Sequence, residues 1–300
     1  MISQLPPRRE NICAILVTYN PDVRLPARAT QIARQVAHLL LVDNRSDRLA
    51  LPILRAAATA PNAHLVRNNV NFGIATALNQ GIRWALDRGY QWALTLDQDT
   101  MVADDMVATL SNVYAEYPKN GTLAIIGVNY KDPNSDRLFF RANRDHHNSW
   151  EEVKTVITSG SLVSLAVYST IGPFREEFFI DCVDLEYCLR ARAHGFKVVL
   201  AREPLMQHAI GAATLHKLPW KMTGTSNHAP ARRYYMTRNH LVLVREYLRK
   251  EPVWAFSTLY SRLKSTVLMC LFEKDRVCKL KYTATGAFDG VLSKFDRKVH

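Results

Sequence analysis

NFGIATALNQGIRWALDRGYQWALTLDQD, residues 71–99, decides the fold. Within it Ile74, Ala77, Leu78, Gly81, Ile82 and Ala85 recur at the helical period, which predicts an amphipathic helix over 74–86. Trp92–Leu96 then forms a short apolar run with the length of a buried strand, and it stops at Asp97-Gln98-Asp99-Thr100. Further runs at Ile12–Val17, His38–Val42, His64–Val66 and Leu123–Val128 read as strands. Ala27–Gln35, Leu51–Ala58 and Asp105–Tyr114 read as the helices between them. Strands alternating with helices over the first 130 residues predict an α/β chain with a doubly wound, mostly parallel sheet flanked by helices. Such sheets bind ligands beyond the carboxyl ends of their strands.

Downstream, Asn129–Glu152 is polar and reads as an excursion from the sheet. Val153–Val163 returns as a strand containing Ser159-Gly160-Ser161, and Asp184–His194 reads as a helix stopped by Gly195. The helical pattern weakens after Pro204 and resumes at Pro252–Phe272.

Of the 300 residues, 48% are apolar and 22% charged, the balance of a globular chain. No apolar run reaches the roughly 18 residues of a membrane span. Residues 1–17 lack the apolar core of a secretory leader, so a cytoplasmic chain is expected. Five cysteines without a C-x-x-C pair point to reduced thiols and exclude a zinc knuckle.

The net charge of +12 is uneven: from Ala231 onward 15 Lys/Arg face 6 Asp/Glu. A basic tail of this kind seeks anionic surfaces. Nucleic acid is one such partner, yet no zinc-finger, helix-turn-helix or RNP-type signature is present, and none is expected to bind. A membrane surface is another. Trp254, Phe256, Leu259, Tyr260, Leu263, Val267, Leu268, Leu271 and Phe272 suit an interfacial helix, and they equally suit a helix packed on the domain.

The strand ends carry the chemistry. Thr18-Tyr19-Asn20-Pro21 follows the first strand, Asp43-Asn44-Arg45-Ser46 the second, and Asn71-Phe72-Gly73 the third, opening the helix that carries Asn79. Each is ordinary turn or cap chemistry by itself. Together, short polar side chains on one edge suit a nucleotide base and ribose, with phosphate at the helix N-terminus. If the fourth strand runs on through Asp99, the spacing of two turns the carboxylates of Asp97 and Asp99 to one side. Mg²⁺ or Mn²⁺ takes such a pair and completes its shell with water and phosphate oxygens. Farther on, Asp184 stands at a helix start. There it is either an N-cap favoured by the helix dipole or a general base held on a rigid element. No G-x-G-x-x-G follows a strand, as a dinucleotide-binding dehydrogenase requires. The first turn also lacks the Gly-rich basic loop of a sugar nucleotidyltransferase.

Val17-Thr18-Tyr19-Asn20-Pro21, Asp43-Asn44-x-Ser46, Asn71-x-Gly73, Asn79-x-Gly81, Asp97-x-Asp99 and Asp184-Leu185-Glu186-x-x-x-Arg190 occur in that order. The ordered set resembles family 2 glycosyltransferases of the GT-A fold, and within them the bacterial rhamnosyltransferase-like branch. Arg232-Arg233-Tyr234-Tyr235-Met236-Thr237-Arg238-Asn239 is similar to that branch too. The resemblance spans about residues 11 to 245. It implies a GT-A domain over 1–245, with a nucleotide-sugar half near 11–130 and an acceptor half near 131–245, followed by a basic helical extension over 246–300.

The resemblance further implies an inverting, metal-dependent transfer of a sugar to a saccharide or lipid-linked acceptor in cell-surface polysaccharide (O-antigen-type) assembly. The donor it favours is dTDP-L-rhamnose, with a UDP-sugar as the alternative, and the work would lie on the inner face of the cytoplasmic membrane. Thr18, Asn20 and Asp43 would meet base and ribose, joined by Asn44, Asn71, Gly73 and Asn79. Asp97 would hold ribose or metal and Asp99 the metal, with His208 near metal or diphosphate. Arg238 would neutralise diphosphate, in competition with Arg232 and Arg233. Asp184 would be the base, with Asp181 as its substitute where relatives carry Glu-Asp and this chain has Val183-Asp184. Ser159, Gly160 and Asp181 would approach the sugars. The Q-x-x-R-W signature of processive synthases is missing, so one or a few sugars are expected to be added.

Overall fold

The computed structural model describes residues 4–132, 137–138, 148–207, 214–218, 221–297 and 299. The chain divides into two compact units, Met1–Glu176 with Val183–Ala209, and Glu177–Cys182 with Ile210–His300.

In the first unit the strands are β1 (Ile12–Thr18), β2 (His38–Asp43), β3 (Ala63–Arg67), β4 (Trp92–Asp97), β5 (Met101–Val102), β6 (Leu123–Asp132), β7 (Arg137–Leu138), β8 (Trp150–Glu152), β9 (Ser161–Ser164) and β10 (Lys197–Gln207). The helices are α1 (Leu25–Ala33), α2 (Leu51–Ala57), α3 (Ile74–Leu86), α4 (Met106–Glu116), α5 (Leu165–Ile171) and α6 (Val183–Ala193). The sheet order is β3-β2-β1-β4-β9-β6-β10-β5.

The sheet's first half is the expected parallel one, because each connection is a helix long enough to cross over. Every residue of β1 is buried, as a strand covered on both faces requires. The α3 helix lies so close to β1 that a Cβ on Gly81 would stand 2.5 Å from Ile15 Cγ2. The second half departs from the expected direction. β9 runs antiparallel to both β4 and β6, and only β6 and β10 resume parallel pairing.

The strand expected over 153–163 is confined to Ser161–Ser164. Before it, Gly160 takes a φ of +78°, which turns the chain out of the ladder. Part of the expected excursion is strand, since β6 runs on to Asp132 and β8 covers Trp150–Glu152. Residues 133–136 and 139–147 lie outside the described residues.

The second unit holds a hairpin of β11 (Thr214–Leu218) and β12 (Lys221–Thr225), with helices α7 (Pro230–Tyr247), α8 (Pro252–Phe272) and α9 (Arg276–Val291). The division therefore falls near 210, and the boundary expected at 245/246 separates helices that pack together. Gly286 and Gly290 of α9 meet the backbone carbonyls of Tyr234 and Arg238 on α7, where any side chain would collide. A buried Glu273 carboxylate also joins Arg233 of α7 at 2.7 Å to Lys279 of α9 at 2.8 Å. Among the described residues no helix is long and apolar enough to cross a membrane.

Candidate active site

The parallel register aligns the carboxyl ends of the first strands: Thr18 lies beside Asp43, Val17 beside Asp97, and Asp43 beside Arg67. The Asp43 side chain is fully buried and accepts from Thr18 Oγ1 at 3.2 Å, Ser46 N at 3.1 Å, the Ser46 hydroxyl and Arg67 Nε at 3.1 Å. It organises the turn after β2. Asn20, in the left-handed region at φ +49°, joins that turn to the one after β1. Its N–H donates to Ser46 Oγ at 2.8 Å, its Nδ2 donates to Asp47 Oδ2 at 3.1 Å, and its Oδ1 accepts from Asp47 N at 2.8 Å.

The third turn is held by Asn44, whose N–H donates to Thr18 O at 2.8 Å and whose Nδ2 donates to Gly73 O at 3.0 Å. Gly73 N in turn donates to Asn71 Oδ1 at 2.9 Å. The structure thus brings Thr18, Asn20, Asp43, Asn44, Asn71 and Gly73 to one edge. Thr18, Asp43 and Asn44 form its buried scaffold, while Asn20 lies exposed at the rim with Tyr19, Arg45 and Phe72.

Asn79 is corrected. It is wholly buried, with Nδ2 donating to Phe174 O and Glu176 Oε1 and Oδ1 accepting from Phe174 N and Tyr168 OH, all at 2.8–2.9 Å. Every polar position of its amide is filled by protein. It fastens α3 to the segment after α5.

β4 ends at Asp97, and the chain turns at once, with Thr100 N donating to Asp97 O at 3.2 Å. Asp97 and Asp99 are therefore neighbours on a turn and not on an extended strand; Asp97 is half-buried and Asp99 exposed. Between them Gln98 pairs with the backbone of Tyr19 as a peptide would: Oε1 accepts from Tyr19 N at 2.7 Å and Nε2 donates to Tyr19 O at 3.1 Å. The buried Arg28 donates to Gln98 O at 2.9 Å and to Asp22 Oδ1 at 2.8 Å. The Asp22 carboxyl is held below the ordinary carboxylate range by that guanidinium's hydrogen bond, against the opposing effect of its own partial burial. Gln98 and Arg28 escaped the sequence reading. The position of Gln98 between two aspartates was the only signal.

Ser159 is also corrected. It is buried, accepts from Asp97 N at 3.1 Å and lies 2.6 Å from Thr100 Oγ1, so it binds the aspartate turn and does not face a sugar. Its neighbour Thr158 donates its N–H to Asp184 Oδ2 at 3.2 Å. Two adjacent residues thus grip Asp97 on one side and Asp184 on the other. Gly160 N is bonded to Thr95 O at 2.8 Å and fixes the same turn on β4. Asp184 opens α6 and accepts from Leu185 N at 2.8 Å.

In the second unit, one face of α7 holds the segment 177–182. Arg232 pairs with both oxygens of Asp181 at 3.0 and 3.1 Å, and the Tyr235 ring stacks on Phe179 at 5.1 Å. Asn239 Nδ2 donates to the carbonyls of Phe178, Ile180 and Asp181 at 2.8–2.9 Å. Arg238 is fully buried, donates to Glu177 O at 2.7 Å and lies over the rings of Tyr234, Tyr235 and Phe295. The expectation that Arg238 meets diphosphate is corrected on that ground, since its guanidinium is enclosed by its own unit. His208 lies outside the described residues.

For a divalent cation, Asp97 and Asp99 are hard oxygen donors on one turn, and they fit Mg²⁺ or Mn²⁺, which keep waters and phosphate oxygens as their other ligands. Among the described residues no group of three His, Cys, Asp or Glu could hold a metal by itself.

Comparison with known proteins agrees with this fold. A sequence model of glycosyl transferase family 2 matches residues 13–169. The chain is 29% identical over 295 residues to the dTDP-rhamnosyl transferase RfbF of Shigella flexneri, covering 94% of this chain and 95% of that one. Among solved structures it is similar to a mannosyltransferase of Pyrobaculum calidifontis in complex with GDP-Man and Mn²⁺. That match has a TM-score of 0.59 and 16% identity, covering 98% of this chain and 90% of that one. It is also similar to TarS of S. aureus, residues 1–349, in complex with UDP-GlcNAc, with a TM-score of 0.61 and 13% identity over 94% and 81% of the two chains. Fold and comparisons together define the class: the protein is a glycosyltransferase. Within that class, the chain belongs to glycosyl transferase family 2.

Proposed function

We propose that the chain transfers L-rhamnose from dTDP-L-rhamnose, with inversion, to a hydroxyl of a saccharide or lipid-linked acceptor. The lipid-linked form would be met at the inner face of the cytoplasmic membrane, during assembly of a cell-surface polysaccharide of the O-antigen kind. The choice of donor is supported by the similarity to the Shigella rhamnosyl transferase over nearly the whole of both chains. The observation that carries the reaction is the Thr158-Ser159 pair, which ties Asp184 and the Asp97–Thr100 turn to adjacent backbone positions.

The nucleoside end of the donor lies against the turns that Asn20, Asp43 and Asn44 stitch together, with exposed Tyr19 and Asn20 at its rim. Asp97 and Asp99 would hold Mg²⁺ or Mn²⁺, which would supply charge neutralisation on the leaving diphosphate. His208 is proposed beside them. Asp184 accepts the proton of the acceptor hydroxyl as that oxygen bonds to the anomeric carbon. The anomeric carbon–phosphate oxygen bond breaks on the opposite face, and the electron pair leaves with the nucleoside diphosphate. No bond to the protein forms, so a single displacement inverts the centre. The hydrogen bonds from Thr158 N and Leu185 N hold the Asp184 carboxylate in one orientation for this step.

Asp184→Asn tests the assignment. It retains donor affinity, measured by calorimetry with dTDP-rhamnose, while transfer falls by about 100-fold or more. Transfer at the wild-type rate removes Asp184 from the role. A donor panel of dTDP-rhamnose, UDP-glucose and UDP-GlcNAc tests the sugar, and preference for a UDP-sugar overturns the rhamnosyl reading.

A further inference from the structure

α8 presents two different faces. Trp254, Ala255 and Met269 are buried within its unit, whereas Val253, Phe256, Tyr260, Leu263, Val267 and Leu271 are each at least 50% exposed. Those six positions recur every three or four residues, so they form one unbroken apolar stripe along five turns of the helix. α9 repeats the pattern, with Val277, Leu280, Phe288 and Val291 exposed. Apolar surface of this extent marks an interaction site on a soluble chain.

Its charge selects the occupant. Lys264, Lys274, Arg276, Lys281 and Lys294 stand exposed on the same two helices and their junctions, against exposed Asp275 and Asp296. Lys264 follows Leu263 directly, and Lys281 lies one turn beyond Val277. A second copy of the chain docked by this face would bring the same cations together across a two-fold axis. A surface of lipid phosphates pairs with them instead.

We propose that the stripe of α8, continued by α9, docks on an anionic lipid surface, its apolar side chains entering the headgroup boundary and its lysines meeting the phosphates. This deepens the acceptor side of the proposed function and rests on it for biological sense, though vesicle binding itself needs no catalysis.

The test is flotation of the full chain with phosphatidylcholine vesicles, with and without phosphatidylglycerol. The wild-type chain floats with the anionic vesicles and stays behind with the neutral ones. Phe256→Gln combined with Leu263→Gln, and separately Lys264→Glu combined with Lys274→Glu, each lower the floated fraction by about tenfold. Both pairs change exposed residues, and circular dichroism melts confirm that they fold. Failure of the wild type to float overturns the proposal. Dimers in sedimentation that the Phe256/Leu263 pair dissolves overturn it in favour of a second copy. Hydrolysis of dTDP-rhamnose, measured in the same samples without vesicles, reports on the catalytic reading alone, so its loss leaves the flotation result standing.

Discussion

Asn239→Asp exchanges one amide nitrogen for oxygen and leaves the side chain's size unchanged. In the native chain Nδ2 donates to the carbonyls of Phe178, Ile180 and Asp181. Those bonds hold a segment in which Phe179, Asp181 and Cys182 all take left-handed φ values of +60° to +63°. Each non-glycine residue there costs roughly 1–2 kcal/mol, so the three together store about 3–6 kcal/mol. A carboxylate at 239 keeps one oxygen as the acceptor of Arg238 Nε but turns the other toward the three carbonyls in a fully covered position, and removing the donor costs about 1–3 kcal/mol.

Domains of this size hold about 5–15 kcal/mol, so the variant folds while the segment comes loose. Cys182 is followed directly by Val183 and Asp184 of α6, so the release is felt at the proposed base. A misplacement of about 1 Å costs on the order of 100-fold in kcat. The donor turns lie in the first unit and are unaltered, so the KM for the donor stays within about twofold. The assay is a chemical melt together with initial rates at varied dTDP-rhamnose, with Asn239→Ala as the comparison. Alanine removes the donor and the acceptor of Arg238 Nε together without adding charge, so it separates loss of the side chain's bonds from the effect of the carboxylate. A melt and kcat for Asn239→Asp equal to wild type refute the clamp. A rise in donor KM with kcat unchanged refutes its link to Asp184.

Three further outcomes are expected. Asp99→Asn removes one of two hard carboxylates and weakens Mn²⁺ affinity by about tenfold or more, read by titration calorimetry with nucleotide present; unaltered affinity places the cation elsewhere. Gly160→Ala sets a Cβ 2.4 Å from Val128 Cγ2 and 2.9 Å from Met206 Sδ at a φ of +78°. It costs about 2–4 kcal/mol, and an unchanged melting temperature contradicts this account of the turn. Burial lowers the His240 imidazole to about 4 from its ordinary 6.5, so the folded chain keeps it neutral where the unfolded chain takes up a proton. The stability it allows is complete above pH 6.5 and falls as pH drops toward 4, by on the order of 3 kcal/mol. His240→Leu therefore flattens the dependence of the melt on pH over that window, and a slope equal to wild type shows that the proton goes elsewhere.

The first 130 residues were legible because their signals are local. α3 is Ile74–Leu86 as its periodicity predicts, and β1, β2 and β4 each run one residue past their apolar runs, to Thr18, Asp43 and Asp97. What periodicity misses is pairing between distant residues. Ser159 reaches Asp97 across 62 positions. Asn239 reaches the carbonyls of Phe178, Ile180 and Asp181 across 58 to 61 positions. Neither partner advertises the other in a local pattern. The 177–182 turn is harder still, since of Phe179, Asp181 and Cys182 only the aspartate is a residue enriched in left-handed backbone. Direction within the second half of the sheet was likewise hidden, because the four buried residues of β9, Ser161-Leu162-Val163-Ser164, read alike whichever way they run.

The site shows why a polar residue in a motif does not by itself mean a ligand contact. Such a residue can face outward to a substrate or inward to hold the turn that faces outward, and its own bonding decides between the two. Asn79 has both amide atoms filled by protein, Arg238 is enclosed by three aromatic rings, and Ser159 supports the turn from behind. Asn20 has the same chemistry yet remains exposed, because a left-handed backbone lets it join two turns while standing at their rim. Exposure together with fixed orientation is what catalysis asks of a group that must meet a charged donor without reorganising. Asp184 meets the condition as well, half-buried and oriented by two backbone N–H groups. Asp181, the other candidate base, is paired through both oxygens with Arg232, and an acceptor proton would have to displace that ion pair first. We therefore propose Asp184 ahead of Asp181 as the base, a choice the sequence left open.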